Sequence, residues 1–243
     1  MASILVGTND LRAGLISVKV HASTDQELPA LCRIRLDVGP ENVTVTATDR
    51  FTAGMSLVSV VAHLNPDDLE ETKLAWVEII DLSVDDVDKI LSIFKCGKDK
   101  GDEPQYILRI ESDDTHVTVT DSSGMIDGRA LRLPRLASDD GFPDLTNLFA
   151  KVHHGRPTLL DEMAVGGEFL ARFKAASSCY QKATCIEATT GSRALTIRCG
   201  ESFLGILMPI AIDDETREKH KLWRDAWDER LPQPSHLAES REL

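Results

Sequence analysis

The residue types that most often carry chemistry are scattered in this chain. Five cysteines stand far apart, without a Cys-x-x-Cys pair and without histidines at metal-ligand spacing: Cys32, Cys96, Cys179, Cys185 and Cys199. We therefore expect buried, reduced thiols, with a metal site built from the last three cysteines as the alternative. The sequence predicts no cofactor.

Motifs of catalytic sites are absent from the sequence as well. It contains no Gly-rich phosphate loop, no GxSxG elbow and no HExxH pair. His153 and His154 are adjacent, but they fall in a predicted linker, where exposure to solvent explains them. The acidic pairs at 85–86 and 139–140 have no partner that would make either pair an acid/base site. We expect a protein that is not an enzyme.

The charge of the chain limits its possible partners. With 27 Lys and Arg against 40 Asp and Glu, the formal net charge is −13, which argues against a surface that embraces nucleic acid as a whole. A local basic face on an acidic body is still allowed. No apolar run approaches the roughly 20 residues of a membrane span, and the N-terminus lacks a signal-peptide pattern. These features predict a cytosolic protein without a membrane partner.

The clearest structural signal is a hairpin in residues 41–61. Valine alternates with threonine up to Thr48, and a second run follows from Gly54, so the pattern predicts two half-buried antiparallel strands. Asp49 can accept a hydrogen bond from its own backbone two residues on, which favours a turn at Thr48-Asp49-Arg50.

The hairpin belongs to a unit that recurs three times with a period near 75 residues. The pattern of each unit predicts a strand, a helix and three further strands. The predicted helices are residues 11–22, capped by Asn9 or Asp10, a second one capped by Ser83, and residues 166–178. The predicted first strands are residues 3–8, 75–82 and 160–165, and the closing strands of the second and third units are 106–111, 116–120, 125–133, 185–188, 194–199 and 202–212.

The last 31 residues have a different character. Acidic residues precede basic ones, and Leu222, Trp223, Ala226 and Trp227 fall on one side of a predicted helix that Pro232 ends. Beyond Pro232 we expect disorder. The tryptophans either dock this helix on its own domain or form a stripe that binds a partner.

Three motifs resemble the β sliding clamps of bacterial DNA polymerase III. They are VTVTATDRFTAG at residues 43–54, Phe142-Pro143-Asp144-Leu145, and Leu207-Met208-Pro209-Ile210. The resemblance covers residues 1–212 and implies an α+β DNA-clamp fold. In that fold, repeated strand-helix-three-strand units place antiparallel sheets outside and helices on one face, around duplex DNA.

The resemblance also implies two sets of site residues. Phosphate-facing side chains on the three repeat helices would contact duplex DNA without reading its sequence: Arg12, Lys19, Lys89, Lys95, Arg172 and Lys174. Charge pairs on solvated helix faces are the ordinary alternative explanation. A cleft for short peptides of polymerases or repair proteins would be formed by Thr48, Asp49, Arg50, Phe51, Ala53, Met208, Pro209 and Ile210.

Two departures from the family pattern affect these expectations. Thr52 and Ala53 stand where the family has a basic residue and a leucine, so the cleft would be shallower, and the tail helix could cover it. The chain also holds three units instead of the family's six. We divide it into a complete domain at 1–150, a half domain at 151–212, and a helix with a flexible tail at 213–243. A half domain leaves a sheet edge and an apolar face open, which predicts a homo-oligomer or a seal by the tail.

Two functions follow from these observations. The first is a non-catalytic processivity or tethering factor that encircles or sits on DNA and docks replication or repair proteins. The second is a clamp-derived binding or regulatory module that has lost ring formation and binds a protein or a ligand.

Overall fold

The computed structural model describes residues 2–64, 78–101, 103–137, 141–158, 163–190 and 192–231. Unit 1 comprises β1 (Ser3–Gly7), α1 (Thr8–Lys19), β2 (Ile34–Val38), β3 (Asn42–Thr48) and β4 (Thr52–His63), with a short 3-10 turn at Pro29–Leu31. Unit 2 comprises β5 (Glu78–Leu82), α2 (Val84–Ile93), β6 (Ile107–Ser112), β7 (His116–Asp121) and β8 (Ala130–Pro134).

The second half of the chain adds helices before its strands. It contains α3 (Leu145–His153), β9 (Pro157–Thr158), α4 (Gly167–Arg172), α5 (Lys174–Tyr180), β10 (Thr184–Thr189), β11 (Leu195–Cys199), β12 (Phe203–Leu207) and α6 (Asp214–Arg230). We call residues 163–210 unit 3. The mixed α+β class with antiparallel sheets is confirmed.

β4 is the strand that joins the three units, because it is twelve residues long and pairs on both edges. One edge pairs with β3. Along the other edge, its first half pairs with β12 and its second half pairs with β1, all antiparallel. The long sheet runs in the order β8-β7-β6-β1-β4-β12-β11-β10-β9. Unit 3 is thus attached to unit 1 by a continuous sheet.

Units 1 and 2 exchange strands reciprocally. The first strand of unit 1, β1, pairs with β6 of unit 2, and the first strand of unit 2, β5, pairs with β2 of unit 1. Each first strand also meets the end of its own unit, β1 at β4 and Asp81 at Leu136. The two units therefore cover each other as a pseudo-two-fold pair.

The three repeat helices pack side by side, with α1 between α2 and α5. Gly14 lets α1 approach the sheet closely, since a Cβ at that position would lie 2.8 Å from Val58 Cγ2. The largest apolar cluster lies between this helical layer and the sheets, and it includes Leu15, Ile80 and Ile197. Gly14 costs helix propensity but permits this contact.

Helix α3 was not predicted, and it covers the opposite face of the same sheet. Its residues Leu145, Phe149 and Val152 pack on Ala53 and Ile206, which belong to β4 and β12. Asp144 begins the helix by accepting a hydrogen bond from the Asn147 backbone N–H at 3.0 Å. The Phe-Pro-Asp motif thus starts a helix that seals this face of the sheet.

Several predicted boundaries were wrong. Helix α1 begins at Thr8 after Gly7, because the Asp10 carboxylate accepts from the Ser59 N–H at 2.9 Å and does not cap the helix. β8 begins at Ala130, since residues 122–129 form a loop. The third repeat helix is broken at Phe173 into α4 and α5. Residues 75–77 and 160–162 of the predicted first strands lie outside the described residues.

The predicted tail helix is present as α6. Asp213 caps it by accepting from the Thr216 N–H at 2.8 Å, and none of its residues is buried. Leu222, Trp223 and Trp227 are 65%, 61% and 57% exposed, so α6 covers neither the predicted cleft nor its own domain. The end of the chain expected to be disordered lies outside the described residues. None of the helices in the described ranges has the length and hydrophobicity of a membrane span.

Candidate functional site

The predicted phosphate-facing residues of α1 have partners inside the chain. Arg12 Nη1 donates to the backbone carbonyls of Leu91 and Phe94, at 2.6 and 2.9 Å. These are carbonyls at the C-terminal end of α2, where a cation is stabilised by the helix dipole. Lys19, at the end of α1, forms an ion pair with Asp88 of α2. Both side chains therefore tie α1 to α2.

The four remaining predicted DNA-binding residues fall into two groups. Lys89 pairs with Asp86 at 2.7 Å, which helps to lower the pKa of that carboxyl, and Arg172 pairs with Asp49. Lys95 and Lys174 are exposed and form no ion pair with another described residue. These two lysines are the members of the predicted set that are free to meet a phosphate.

The net charge of the helical layer is balanced. α1, α2, α4 and α5 carry five basic side chains, Arg12, Lys19, Lys89, Arg172 and Lys174, and five acidic ones, Asp10, Asp85, Asp86, Asp88 and Glu168. A face that attracts phosphate needs an excess of positive charge. The helices alone do not provide it.

The predicted turn between β3 and β4 is built by its own side chains. Thr48 Oγ1 donates to the Thr52 carbonyl at 2.8 Å, and Asp49 Oδ1 accepts from the N–H groups of Phe51 and Thr52 at 3.0 and 2.8 Å. Arg50 has a φ of 80°, in the left-handed region that a non-glycine residue rarely adopts. The turn projects Phe51, which is 49% exposed.

α4 is locked onto this turn by charge and by aromatic packing. Arg172 Nη1 contacts the Asp49 carboxylate and lies 2.8 Å from Thr52 Oγ1. Its guanidinium lies 5.0 Å from the centre of the Phe169 ring, which stacks on Phe51 with ring centres 5.0 Å apart. Arg172, expected from the resemblance to face DNA, is therefore a structural partner of the turn.

The residues of the predicted peptide cleft come together only in part. The Met208 N–H donates to the Phe51 carbonyl at 2.9 Å, and the Ile210 N–H donates to the Ala164 carbonyl at 2.8 Å. Met208 and Ile210 are 40% and 54% exposed, so they sit beside the turn at the surface. Ala53 is separated from them, because α3 covers it on the other face of the sheet.

A cavity of about 350 Å³ lies on the helical side of this turn. Asp49, Arg50 and Phe51 line one wall of it, Phe169 and Arg172 another, and the loop after α1 closes it. Phe169 was not predicted to lie at the cleft, and Arg172 was predicted to face DNA. A helical spacing of an aromatic and an arginine, three apart, was the only signal for this pair.

A buried histidine lies next to this cavity. His21 is fully buried, and neither of its ring nitrogens has a hydrogen-bond partner among the described residues. Its ring centre lies 4.8 Å from that of Phe173 and 6.1 Å from that of Phe203. Burial, reinforced by the charge of Arg172, lowers the pKa of His21 to about 3 from 6.5. The imidazole is therefore neutral at physiological pH.

A second ionisable group with a shifted pKa lies near the Phe-Pro-Asp motif. The Arg35 guanidinium packs 4.2 Å from the centre of the Phe142 ring. Burial raises the pKa of Asp37 to about 6, with Arg35 opposing the shift and the carboxylates of Asp81 and Asp144 adding to it. This cluster holds the start of α3 against the sheet.

The cysteines of the described structure are all free. Cys199 is buried, Cys185 is exposed, and Cys32, Cys96 and Cys179 are half-buried, so the expectation of buried thiols is confirmed for Cys199 alone. In the described part of the chain, no group of three or more His, Cys, Asp or Glu side chains could hold a metal ion.

Bacterial DNA polymerase III β subunits are among the solved structures that superpose on this chain. A DNA polymerase III β subunit from Thermotoga maritima superposes with a TM-score of 0.62 at 11% identity, over 89% of this chain and 67% of that chain. A DNA polymerase sliding clamp from Bacillus subtilis gives 0.60 at 13% identity, over 87% and 64%, and one from Pseudomonas aeruginosa gives 0.55 at 12%, over 89% and 67%.

The chain spans about two thirds of the length of these proteins. No protein-family model and no curated protein matches the sequence. The resemblance drawn from three short motifs is confirmed at the level of structure: this chain has the fold of the bacterial DNA polymerase III β sliding clamps.

Proposed function

We propose that this chain is a non-catalytic DNA clamp-like protein. In this role it encircles or sits on duplex DNA without sequence preference, in the cytoplasm, as a homo-oligomer. It docks replication or repair proteins through a short peptide beside Phe51 and Met208. The observation that carries the proposal is the clamp fold over nearly nine tenths of the chain, with the repeat helices in one layer.

Retention on circular and linear duplex DNA tests the proposal. The protein is incubated with nicked plasmid and with the same plasmid linearised, and bound protein is measured after gel filtration. Retention on the circle and loss from the linear form supports encirclement, whereas equal retention supports a protein that sits on DNA. Absence of binding to either form at low salt overturns both versions.

Charge variants make this test specific for the helical layer. Lys95 and Lys174 are the two predicted phosphate-facing residues that are exposed and have no described ion pair, so Lys95→Glu with Lys174→Glu is expected to weaken binding by about tenfold or more. Lys151→Glu is the matched control, since Lys151 is exposed on α3, on the opposite face of the sheet. If Lys151→Glu weakens DNA binding as much, binding depends on the overall charge of the protein and not on the helical face.

A second candidate is a clamp-derived module that binds a protein or a ligand without forming a ring. The balanced charge of the helices and the internal pairing of Arg12, Lys19, Lys89 and Arg172 favour it. Under this alternative the protein binds neither form of the plasmid, and it binds a peptide or a ligand in the cavity beside Phe51.

A further inference from the structure

Unit 3 exposes a strand position that units 1 and 2 bury. The hairpins of the three units end at the pairs Val38–Val43, Ser112–Val117 and Ala188–Leu195. Two residues before the first member of each pair stand Leu36, Ile110 and Ile186. Leu36 and Ile110 are 3% and 1% exposed, but Ile186 is 41% exposed, although its ladder partner Ile197 is fully buried. The core of unit 3 is open at β10.

A helix position of unit 3 is open in the same way. The fourth residue after the N-cap is Leu11 in α1, Val87 in α2 and Leu170 in α4. Leu11 and Val87 are 1% and 0% exposed, whereas Leu170 is 37% exposed. A strand and a helix of unit 3 thus lack cover at positions that are covered in both other units.

The missing cover is identifiable from units 1 and 2. There, β5 of one unit pairs with β2 of the other, and β1 pairs with β6. On β10, the counterpart of β2 and β6, only Ala188 and Thr189 are paired on the outer edge, by β9. Residues 184–187 pair with no other strand of the described chain on that edge. Among the described residues, therefore, nothing occupies on unit 3 the place that the first strand of the partner unit occupies on units 1 and 2.

We propose that unit 3 is completed by unit 3 of a second copy of this chain, across a two-fold axis. A unit of this type fits another of its own type reciprocally, as units 1 and 2 do, and a two-fold contact between identical surfaces closes both open edges at once. Unit 3 also contains residues that can pair with the open edge of the second copy. Ala164 bridges Ile210 as Asp81 bridges Leu136, so residues 163–165 correspond to the ends of β1 and β5.

The internal pairing fixes the register of the contact. Ile4 lies opposite Ile110, and Ile80 lies opposite Leu36; both pairs map to Met163 opposite Ile186. Leu5 lies opposite Arg109, and Asp81 lies opposite Arg35; both map to Ala164 opposite Cys185. Because two independent pairings give the same register, each copy buries its exposed Met163 against Ile186 of the other.

Covalent trapping tests the register directly. Cys185 is exposed, and directly opposed residues of antiparallel strands have Cα atoms about 4.5 to 5.5 Å apart, within disulfide range. The full chain carrying Ala164→Cys is expected to form a covalent dimer through Cys185 under mild oxidation with diamide. Ala164→Cys combined with Cys185→Ser is the matched control and should stay uncoupled. Absence of the dimer, or an equal yield in the control, contradicts the register.

The solution mass tests the interface without a new cysteine. Light scattering of the full chain at several concentrations should give a dimer, and Ile186→Lys or Leu170→Lys should raise its dissociation constant at least about tenfold. Trp223→Ala with Trp227→Ala serves as the control for association through α6 and should leave the constant unchanged. A wild-type monomer at every concentration, or a dimer that only the tryptophan variant weakens, overturns the proposal. No arm of these tests involves DNA, so their outcome is separate from that of the proposed function.

Discussion

His21 is a neutral imidazole enclosed by the rings of Phe173 and Phe203. The folded protein resists its protonation, with a pKa of about 3, whereas the unfolded chain takes up the proton near 6.5. Above pH 6.5 the imidazole is neutral in both the folded and the unfolded state, so it does not lower the free energy of unfolding there. Stability is then lost as pH falls from there toward 3, because only the unfolded state gains the proton.

His21→Leu should therefore flatten the dependence of stability on pH. Between pH 7.5 and 5, the wild type is expected to lose about 2 kcal/mol more unfolding free energy than the variant. Urea unfolding at the two pH values measures the difference, and His153→Leu, at an exposed position, should behave like the wild type. Parallel losses in all three proteins would show that His21 is protonated without cost in the folded state.

At the scale of elements, two glycines govern the junction of units 1 and 3. Gly54 of β4 and Gly205 of β12 are directly paired. A Cβ on Gly54 would lie 2.5 Å from His21 Cδ2, and one on Gly205 would lie 2.3 Å from Phe173 Cε1. Only glycine leaves room for the two rings over the strands, so these residues hold the sheet and the helical layer together.

Gly54→Ala is expected to destabilise the protein by about 1–3 kcal/mol through overpacking against His21. Combining it with His21→Ala should recover part of that cost, since the clash is between these two residues. Chemical denaturation of the single and double variants measures the coupling. Gly167→Ala, whose Cβ would meet nothing within 4 Å, is the control, and a cost equal to that of Gly54→Ala would contradict the steric explanation.

Helix α6 is an element without a buried residue. Deletion of residues 214–243 is expected to change the unfolding free energy of the body by less than about 0.5 kcal/mol. Because α6 does not cover the surface beside Phe51, the deletion should also leave the affinity for a cleft peptide unchanged. A gain in peptide affinity would instead show that α6 folds back over the cleft.

At the scale of the whole molecule, the distribution of charge limits how the chain could hold DNA under the proposed function. The net charge is −13, and four of the six predicted phosphate-binding side chains are engaged within the chain. Under the proposed function, the phosphate contacts of this set would depend on Lys95 and Lys174. An acidic body repels phosphate elsewhere and leaves binding sensitive to salt.

If Lys95 and Lys174 alone meet phosphates, each chain displaces few counterions. The slope of log K against log salt concentration for duplex DNA is then expected to be about −2 per chain. Titrations by fluorescence anisotropy between low and physiological salt give the slope. A value near −5 would show that the ion pairs of Lys19, Lys89 and Arg172 open on DNA and release those cations to it.

The sequence alone determined the units, because each rests on local rules. Alternation of Val and Thr gave the hairpin, Ser83 capped α2 as predicted, and the repeat of strand, helix and three strands led to the clamp fold. Helix α3 was not predicted because its apolar face packs on β4 and β12, and Ala53 of β4 lies more than 80 residues away in the sequence. The local pattern was obscured by the predicted linker and by the Gly-Arg-Pro breaker that follows the helix.

Only the tertiary structure decided which charges are free and which surfaces are open. Arg12 and Arg172 look like any exposed cation in the sequence, yet their partners are a distant helix end and a distant turn. Likewise, Leu170 and Ile186 carry the same hydrophobic pattern as their buried counterparts in units 1 and 2. Whether such a residue is covered depends on strand pairing between units, which the period of a sequence does not encode.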